Sequence, residues 1–164
     1  MNQKCANYKV AIEKAQKVLA DNFLFNPPIV AEEIAKNYGL KVGYYIFLPE
    51  RRNVSGFISN GEIIINDEET PQRKNFTIAH ELGHYLLGHV EDKDYGVLYR
   101  QPIAEQTNKP MEQEASCFAA NLLVPEEMLK KYLTEYPFAN NYQLANIFGV
   151  SPDVIGFRRQ NLRI

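Results

Sequence analysis

The spacing of apolar residues predicts helices toward both ends of the chain and a short sheet between them. Residues 6–20 repeat apolar positions at helical spacing, and Asn26-Pro27-Pro28 is predicted to start a second helix that ends at Gly39. The apolar positions are Ala11, Ile12, Ala15, Val18 and Leu19 in the first helix, and Val30, Ile34, Ala35 and Tyr38 in the second. Both helices are predicted to pack on the core.

Three short runs rich in β-branched and aromatic residues follow, at 42–48, 54–58 and 62–66. The last two flank Asn60-Gly61. Asn-Gly is the strongest short hairpin signal, because a type I′ turn needs positive φ at both central positions. The pattern predicts an antiparallel hairpin that joins the first strand in a small sheet.

The chain then returns to helical periodicity. Thr70-Pro71 offers a cap and a first residue for one helix, and Gly88 can end it. A second helix at 111–124 has an apolar stripe formed by Ala115, Phe118, Ala119, Leu122 and Leu123. The predicted fold class is α+β, with the first of these helices packed on a small antiparallel or mixed sheet and with additional helices around it.

Composition narrows the class of protein. The 164 residues are 45% apolar and 23% charged, with a net charge of -2, which is typical of a globular domain and gives no general reason to expect nucleic-acid binding. Two cysteines are too few for a disulfide framework. The chain shows neither a signal peptide nor a run of 18 apolar residues, so we predict a cytoplasmic protein without membrane partners. Residues 1–164 are predicted to form a single domain, with 126–164 as a helical C-terminal element.

The helix that begins at Pro71 carries the pattern H-E-x-x-H at His80, Glu81 and His84. Residues i and i+4 lie one turn apart on the same helix face, so both imidazoles can bind one metal ion. Glu81 projects about 100° round the helix from His80, where a base must sit to take a proton from metal-bound water. The pattern predicts a metal-dependent hydrolase with Glu81 as general base.

A catalytic zinc usually needs a third protein ligand. On the 111–124 helix, Glu112 lies within about 40° of the centre of the apolar stripe, whereas Glu114 lies roughly 120° away, toward solvent. A carboxylate on the inward face is costly unless something compensates its charge, and a metal would do so. Glu112 is therefore the predicted third ligand. Glu114 is the alternative ligand, and Glu112 could instead be a first-turn carboxylate favoured by the helix dipole.

His89 is a weaker candidate for the third ligand. The long metalloprotease pattern needs Gly at position 87 and His at position 90, and the sequence Leu87-Gly88-His89-Val90 misses both by one residue. We predict that His89 is an ordinary surface or capping residue at the helix end.

Two segments, 75–84 and 112–125, together resemble the ImmA/IrrE metallopeptidases. The resemblance includes the hairpin and the C-terminal segment, and so runs over most of the chain from about residue 26. It implies a zincin-like fold and a metallo-endopeptidase that hydrolyses a peptide bond by Glu-assisted attack of metal-bound water. The implied protein substrate is a helix-turn-helix transcriptional repressor, cut to switch on genes of mobile elements or stress responses.

The resemblance also implies roles for individual residues. His80, His84 and Glu112 would be metal ligands and Glu81 the general base, with Zn²⁺ as the cofactor and Mn²⁺ as an alternative that accepts the same ligands. Ser116 stands where that family commonly has Asn. If this position orients a metal-binding histidine, Ser116 would do so more weakly.

The C-terminal segment supports a rival hypothesis. Pro125 can start another helix, and residues 142–155 look like a helix-turn-helix in which Gly149 ends one helix and Ser151-Pro152 starts the next. With Arg158, Arg159 and Arg163 nearby, the chain could be a DNA-binding regulator with a structural or vestigial metal site. Three arginines are a small patch for phosphate contacts, so packing is the favoured role of this segment.

The connection from residue 90 to residue 110 is long and polar, without clear periodicity. Connections of this length are uncommon unless they are functional or disordered. It is predicted either to flank the cleft, with Tyr95, Tyr99 or Arg100 near substrate, or to be a solvated loop.

Overall fold

The computed structural model describes residues 5–51, 53–91 and 110–164. Within these ranges the chain forms seven α-helices and three strands, which confirms the α+β class. The elements are α1 (Tyr8–Asp21), α2 (Ala31–Asn37), β1 (Lys41–Tyr45), β2 (Gly56–Ser59), β3 (Glu62–Asn66), α3 (Pro71–Leu86), α4 (Pro110–Leu123), α5 (Glu126–Glu135), α6 (Asn141–Phe148) and α7 (Pro152–Leu162). Short 3₁₀ turns occur at Pro49–Arg51 and His89–Glu91.

The three strands form one mixed sheet in the order β1-β3-β2. β2 and β3 are antiparallel, and β1 pairs in parallel with β3 on its other side. The hairpin turns at Asn60 and Gly61, whose φ values of 49° and 75° confirm the positive φ predicted for both positions. The small sheet and its hairpin are therefore as predicted, and of the two arrangements that the sequence left open the sheet is the mixed one.

Helix α3 lies at the centre of the molecule, against β2, β3, α2 and α4. Its apolar residues join the strands and the other helices in one hydrophobic core, and Ile78, Ala79 and Leu82 are all buried there. A helix that is packed on several sides has little freedom to shift, so the polar residues on its remaining face are held in fixed positions.

Two element boundaries differ from the sequence prediction. Helix α2 begins at Ala31, and Val30 is 45% exposed, whereas Ile29 before it is buried. The cause is Asn75 of α3, whose side chain accepts from the Ala31 N–H and donates to the Ile29 carbonyl. Strand β1 ends at Tyr45, and the apolar residues after it are largely exposed.

The C-terminal segment forms α5, α6 and α7, and the predicted helix-turn-helix bounds are correct to within a few residues. Ser151 precedes α7 but makes no side-chain capping bond. Arg158 is only 3% exposed, and its Nε donates to the Val124 carbonyl at 2.9 Å. Arg159 contacts Asn141 at 3.2 Å. Two of the three arginines of the rival hypothesis therefore make contacts within the domain.

The predicted roles of Tyr95, Tyr99 and Arg100 lie outside the described residues. Among the described helices, none is both long and apolar enough to cross a membrane.

Candidate metal centre

Helix α3 places two imidazoles beside each other. The helix begins as predicted, since the Thr70 side chain accepts from the Arg73 N–H and Pro71 is the first helical residue. One turn separates His80 from His84, and their Nε2 atoms are 3.1 Å apart. Two ring nitrogens this close need a shared proton or a cation between them, because two lone pairs would repel each other.

Helix α4 brings a carboxylate to the same point. Glu112 Oε2 is 3.2 Å from His80 Nε2, and Oε1 is 3.2 Å from His84 Nε2. Among the described residues, these three side chains form a group that could hold a metal ion, with all donor atoms within 4.8 Å of one another. The structure thus brings together the two histidines and the acid that the sequence analysis singled out, although they are 28 positions apart in the chain at the closest.

The approach of α4 to α3 depends on a glycine in the middle of α3. A Cβ atom at Gly83 would lie 2.9 Å from Phe118 Cδ1 and 3.3 Å from both the Cα and the carbonyl oxygen of Ala115. The distance of 2.9 Å to Phe118 is shorter than Cβ atoms in proteins essentially ever show. The absence of a side chain therefore lets the helix that carries Glu112 lie against the helix that carries the histidines.

We expect Gly83→Ala to lower the free energy of unfolding and to weaken metal binding. Overpacking a tight core contact costs about 1–3 kcal/mol, against a gain of about 1 kcal/mol in helix propensity. Separation of α3 from α4 would also move the Glu112 carboxylate away from the histidines. Chemical denaturation of the metal-free protein and zinc titration would measure the two effects.

Gly156→Ala is the matched control for this substitution. Gly156 is also in a helix, but its Cβ atom would meet only the Asn141 amide nitrogen, at 3.2 Å. We expect this variant to keep its metal affinity and to lose little or no stability. A Gly83→Ala variant as stable as the control, with the same zinc affinity, would show that the helix contact tolerates a methyl group.

Burial differs among the three side chains. The side chain of His84 is 2% exposed, whereas those of His80 and Glu112 are 16% and 22% exposed. Burial lowers the pKa of His84 to about 4, so this ring is neutral near pH 7 and can offer a lone pair. The more exposed pair marks the side of the site that solvent or substrate can reach.

The charges of the group are coupled. Burial alone would raise the pKa of the Glu112 carboxyl, but hydrogen bonds from His80 and His84 outweigh burial and hold that pKa well below its usual range. Burial opposes protonation of His80 as well, yet its hydrogen bond to Glu112 and the charges of Glu81 and Glu112 raise its pKa. Glu112 is therefore ionised near neutral pH, as a metal ligand must be.

Glu81 and Ser116 lie next to the group. Glu81 is buried and directly follows His80 in α3, and its negative charge contributes to the raised pKa of His80. Ser116 Oγ lies 3.3 Å from His80 Nδ1, on the opposite side of the ring from Glu112. This distance is long for a hydrogen bond, so Ser116 holds His80 only weakly.

Two predicted positions are wrong, the surface position of His89 and the solvent-facing position of Glu114. His89 is 6% exposed, and its two ring nitrogens lie 3.0 Å from His84 Nδ1 and 2.9 Å from Glu114 Oε2. Glu114 faces the interior contact with His89 instead of solvent. Gly88, with φ at 76°, ends α3 and lets the chain fold back so that His89 lies under His84. One feature of the sequence could have indicated the position of His89, namely that this histidine directly follows the glycine that ends α3.

Comparisons with known proteins find a family similarity over most of the chain. A model of the family Peptidase_M78, described as IrrE N-terminal-like domain, matches residues 34–159. Metallopeptidase ImmA of Bacillus subtilis is 30% identical over 97 residues, which are 59% of this chain and 55% of that protein. Radiation response metalloprotease IrrE of Deinococcus deserti is 33% identical over 75 residues, which are 45% of this chain and 26% of that protein.

The chain thus spans about half or less of the length of these curated relatives. A solved structure of a Mycobacterium tuberculosis transcriptional regulator has a TM-score of 0.66 at 16% identity, over 91% of this chain and 55% of that one. At this identity the similarity shows a shared fold and nothing about activity.

Proposed function

Because the chain belongs to the Peptidase_M78 family of IrrE N-terminal-like domains, as the resemblance to ImmA/IrrE metallopeptidases indicated, we propose that it is a metal-dependent endopeptidase. His80, His84 and Glu112 are the proposed metal ligands, and Glu81 is the proposed general base. Residues 1–164 act as one metallopeptidase domain in this proposal, with 126–164 packed on the same core.

The convergence of donor atoms from three side chains is the observation that carries the proposal. His80 Nε2 and His84 Nε2 are 3.1 Å apart, and each of them lies 3.2 Å from one carboxylate oxygen of Glu112. Two ligands of a tetrahedral zinc ion, each about 2.0–2.1 Å from the metal, are about 3.3 Å apart. The triangle of side chains therefore has the dimensions that one zinc ion requires, and a catalytic zinc site has three protein ligands with one position left open.

The proposed chemistry is peptide-bond hydrolysis. A divalent cation in this site supplies Lewis acidity and lowers the pKa of a coordinated water. Glu81 accepts the proton of the attacking water and delivers it to the leaving amine. His80, His84 and Glu112 keep the site fixed while the proton moves, because α3 and α4 are both packed in the core. Zn²⁺ is the proposed metal, and Mn²⁺ accepts the same ligand set.

A helix-turn-helix transcriptional repressor is the proposed substrate, on the strength of the family resemblance. Space for a polypeptide supports this part of the proposal. A groove of about 1520 Å³, as bounded by the described residues, passes Glu112 and Ser116 and continues between α1, α5 and α7. Phe25 and Phe157 line it with exposed aromatic surface. The proposed location is cytoplasmic, as the sequence analysis predicted.

DNA binding is the less favoured function. The buried position of Arg158 and the internal contacts of Arg159 leave little of the C-terminal arginine patch for phosphate groups. Phosphate binding needs several cations at the surface. Packing of α5 to α7 on the core is a sufficient reason for the helix-turn-helix pattern.

Removal of the metal tests the proposal directly. We expect the purified protein to bind one equivalent of zinc, and to cut a helix-turn-helix repressor encoded beside its own gene only while the metal is bound. The experiment compares the zinc-loaded protein, the same protein after treatment with a chelator, and the treated protein reloaded with Zn²⁺ or Mn²⁺, with products identified by mass spectrometry. Failure to bind zinc, or equal cleavage with and without the chelator, would contradict the proposal.

A further inference from the structure

His89 is a buried histidine that the proposed ligand set does not use. Its ring lies 5.1 Å from the ring of His84, between centroids, and the two Nδ1 atoms are 3.0 Å apart. On the other side of the ring, Nε2 is 2.9 Å from Glu114 Oε2. Both ring nitrogens of His89 therefore lie within hydrogen-bond distance of a named partner.

The protons of this chain of contacts can be arranged in only one way when a cation is bound. His84 Nε2 then offers its lone pair to the metal, so the single proton of the neutral ring is on Nδ1. That N–H faces His89 Nδ1, which must accept. The proton of His89 is consequently on Nε2, where it meets a carboxylate oxygen of Glu114. Each donor along the path faces an acceptor.

The far end of the chain of contacts is anchored by helix α1. Glu114 Oε1 accepts a hydrogen bond of 2.6 Å from the backbone N–H of Asn7. Asn7 is the N-cap of α1, and its own side chain accepts from the Val10 N–H, so its position is fixed by the helix. Helix α1 packs along α4 but precedes residue 34, where the match to the family model begins.

We propose that His89 and Glu114 are positioning residues that hold His84 in the orientation and tautomer needed for metal binding, and that the N-terminus of α1 completes this support. The inference rests on the metal site of the proposed function. A ligating histidine whose other N–H is bonded in this way is fixed in orientation and is a more basic ligand. His80 has no comparable support among its described contacts, since Ser116 Oγ lies 3.3 Å from its Nδ1.

Two substitutions of His89 separate positioning from packing. His89→Leu keeps apolar bulk but removes the acceptor for the His84 N–H, and we expect the zinc dissociation constant to rise by about 10–100-fold, the usual effect of losing such a partner. His89→Asn places a carbonyl oxygen near the position of Nδ1, and we expect it to restore part of the affinity. Chelator competition gives the dissociation constants, and thermal unfolding of the metal-free variants shows whether they fold.

Equal affinity of His89→Leu and the parent protein, with zinc still bound by the parent, would overturn the positioning role while leaving the proposed function intact. Absence of zinc binding by the parent itself would overturn the proposed function. The same affinity for His89→Leu and His89→Asn, both weaker than the parent, would also overturn the role, because loss of packing and not loss of the acceptor would then be the cause.

The tautomers give a test on the unmodified protein. In the zinc-loaded protein with ¹⁵N-labelled histidine, we expect long-range ¹H–¹⁵N spectra to show the proton of His84 on Nδ1 and that of His89 on Nε2. A proton on His89 Nδ1 would contradict the arrangement. This measurement does not depend on the folding of a variant.

The contribution of α1 is tested by comparing two variants of Asn7. Asn7→Ala removes the side-chain cap but keeps the backbone N–H, whereas Asn7→Pro removes the N–H that Glu114 accepts. We expect the Pro variant to bind zinc more weakly than the Ala variant when both metal-free proteins are folded. Equal zinc affinities of the two variants would show that the backbone N–H at the start of α1 does not support the metal site.

Discussion

Replacement of Glu81 by Gln is expected to lower the rate of peptide-bond hydrolysis by about 10²–10⁴-fold, the usual contribution of a general base. Gln has the same shape as Glu but cannot accept a proton at neutral pH. Glu81 is adjacent to a proposed ligand but is not part of the triangle formed by His80, His84 and Glu112. We therefore expect the variant to keep its full zinc content while it loses activity.

The measurement pairs zinc analysis with the rate of repressor cleavage for the parent protein, Glu81→Gln and a control. Glu33→Gln is a suitable control, because Glu33 is exposed on α2 and undergoes the same chemical change. We expect the control to match the parent in both measurements. Cleavage by Glu81→Gln at the parent rate would require another base, and loss of zinc from this variant would make Glu81 part of the metal site instead.

Replacement of Glu112 by Ala is expected to act on the metal itself. Its carboxylate is the only anionic member of the proposed ligand set, and it faces the Nε2 atoms of His80 and His84 at 3.2 Å. Loss of an outer partner of a metal ligand typically costs 10–100-fold in affinity, so we expect loss of a ligand to raise the zinc dissociation constant by more than about 100-fold. Activity should fall with the occupancy of the site.

Glu127→Ala is the control that tests the alternative role of Glu112 as a first-turn carboxylate. Glu127 is exposed in the first turn of α5, so its loss removes a favourable interaction with a helix dipole without touching the metal site. We expect this variant to bind zinc as the parent does. If Glu112→Ala kept the parent stoichiometry and affinity, Glu112 would be a capping carboxylate and the metal would need a different third ligand.

The two variants answer different questions. Glu81→Gln is expected to separate proton transfer from metal binding, because it should alter the first and leave the second. Glu112→Ala is expected to remove the cation that the proposed reaction needs. The His89 variants are expected to have a zinc affinity between those of Glu81→Gln and Glu112→Ala. They leave all three proposed ligands in place and change only how firmly one of them is held.

Much of this architecture follows from local sequence. The periodicity of apolar residues, Thr70-Pro71 and Gly88 define helix α3, and the hairpin follows from Asn60-Gly61, whose positive φ values the structure confirms. The juxtaposition of His80 and His84 also follows from sequence, because residues four apart on a helix necessarily share a face. Glu112 was singled out because a carboxylate on an apolar helix face needs a compensating charge.

Glu114 and His89 show where such reasoning fails. Projection on an isolated helix placed Glu114 in solvent, but the N-terminus of α1 and the turn after α3 approach that face of α4 and give its carboxylate two donors. Likewise, Arg158 looked like part of a basic surface until packing of α7 placed it beside the Val124 carbonyl. In each case the partner comes from a distant part of the chain.

The sequence by itself determined most of the elements, the pair of histidines one turn apart and the carboxylate of Glu81 next to them, because these depend on short-range geometry. Only the tertiary structure decided that Glu112 meets both rings, that Gly83 permits the contact of α3 with α4, and that His89, Glu114 and Asn7 lie in line behind His84. These are contacts between segments far apart in the chain, and helical periodicity carries no information about which faces will meet.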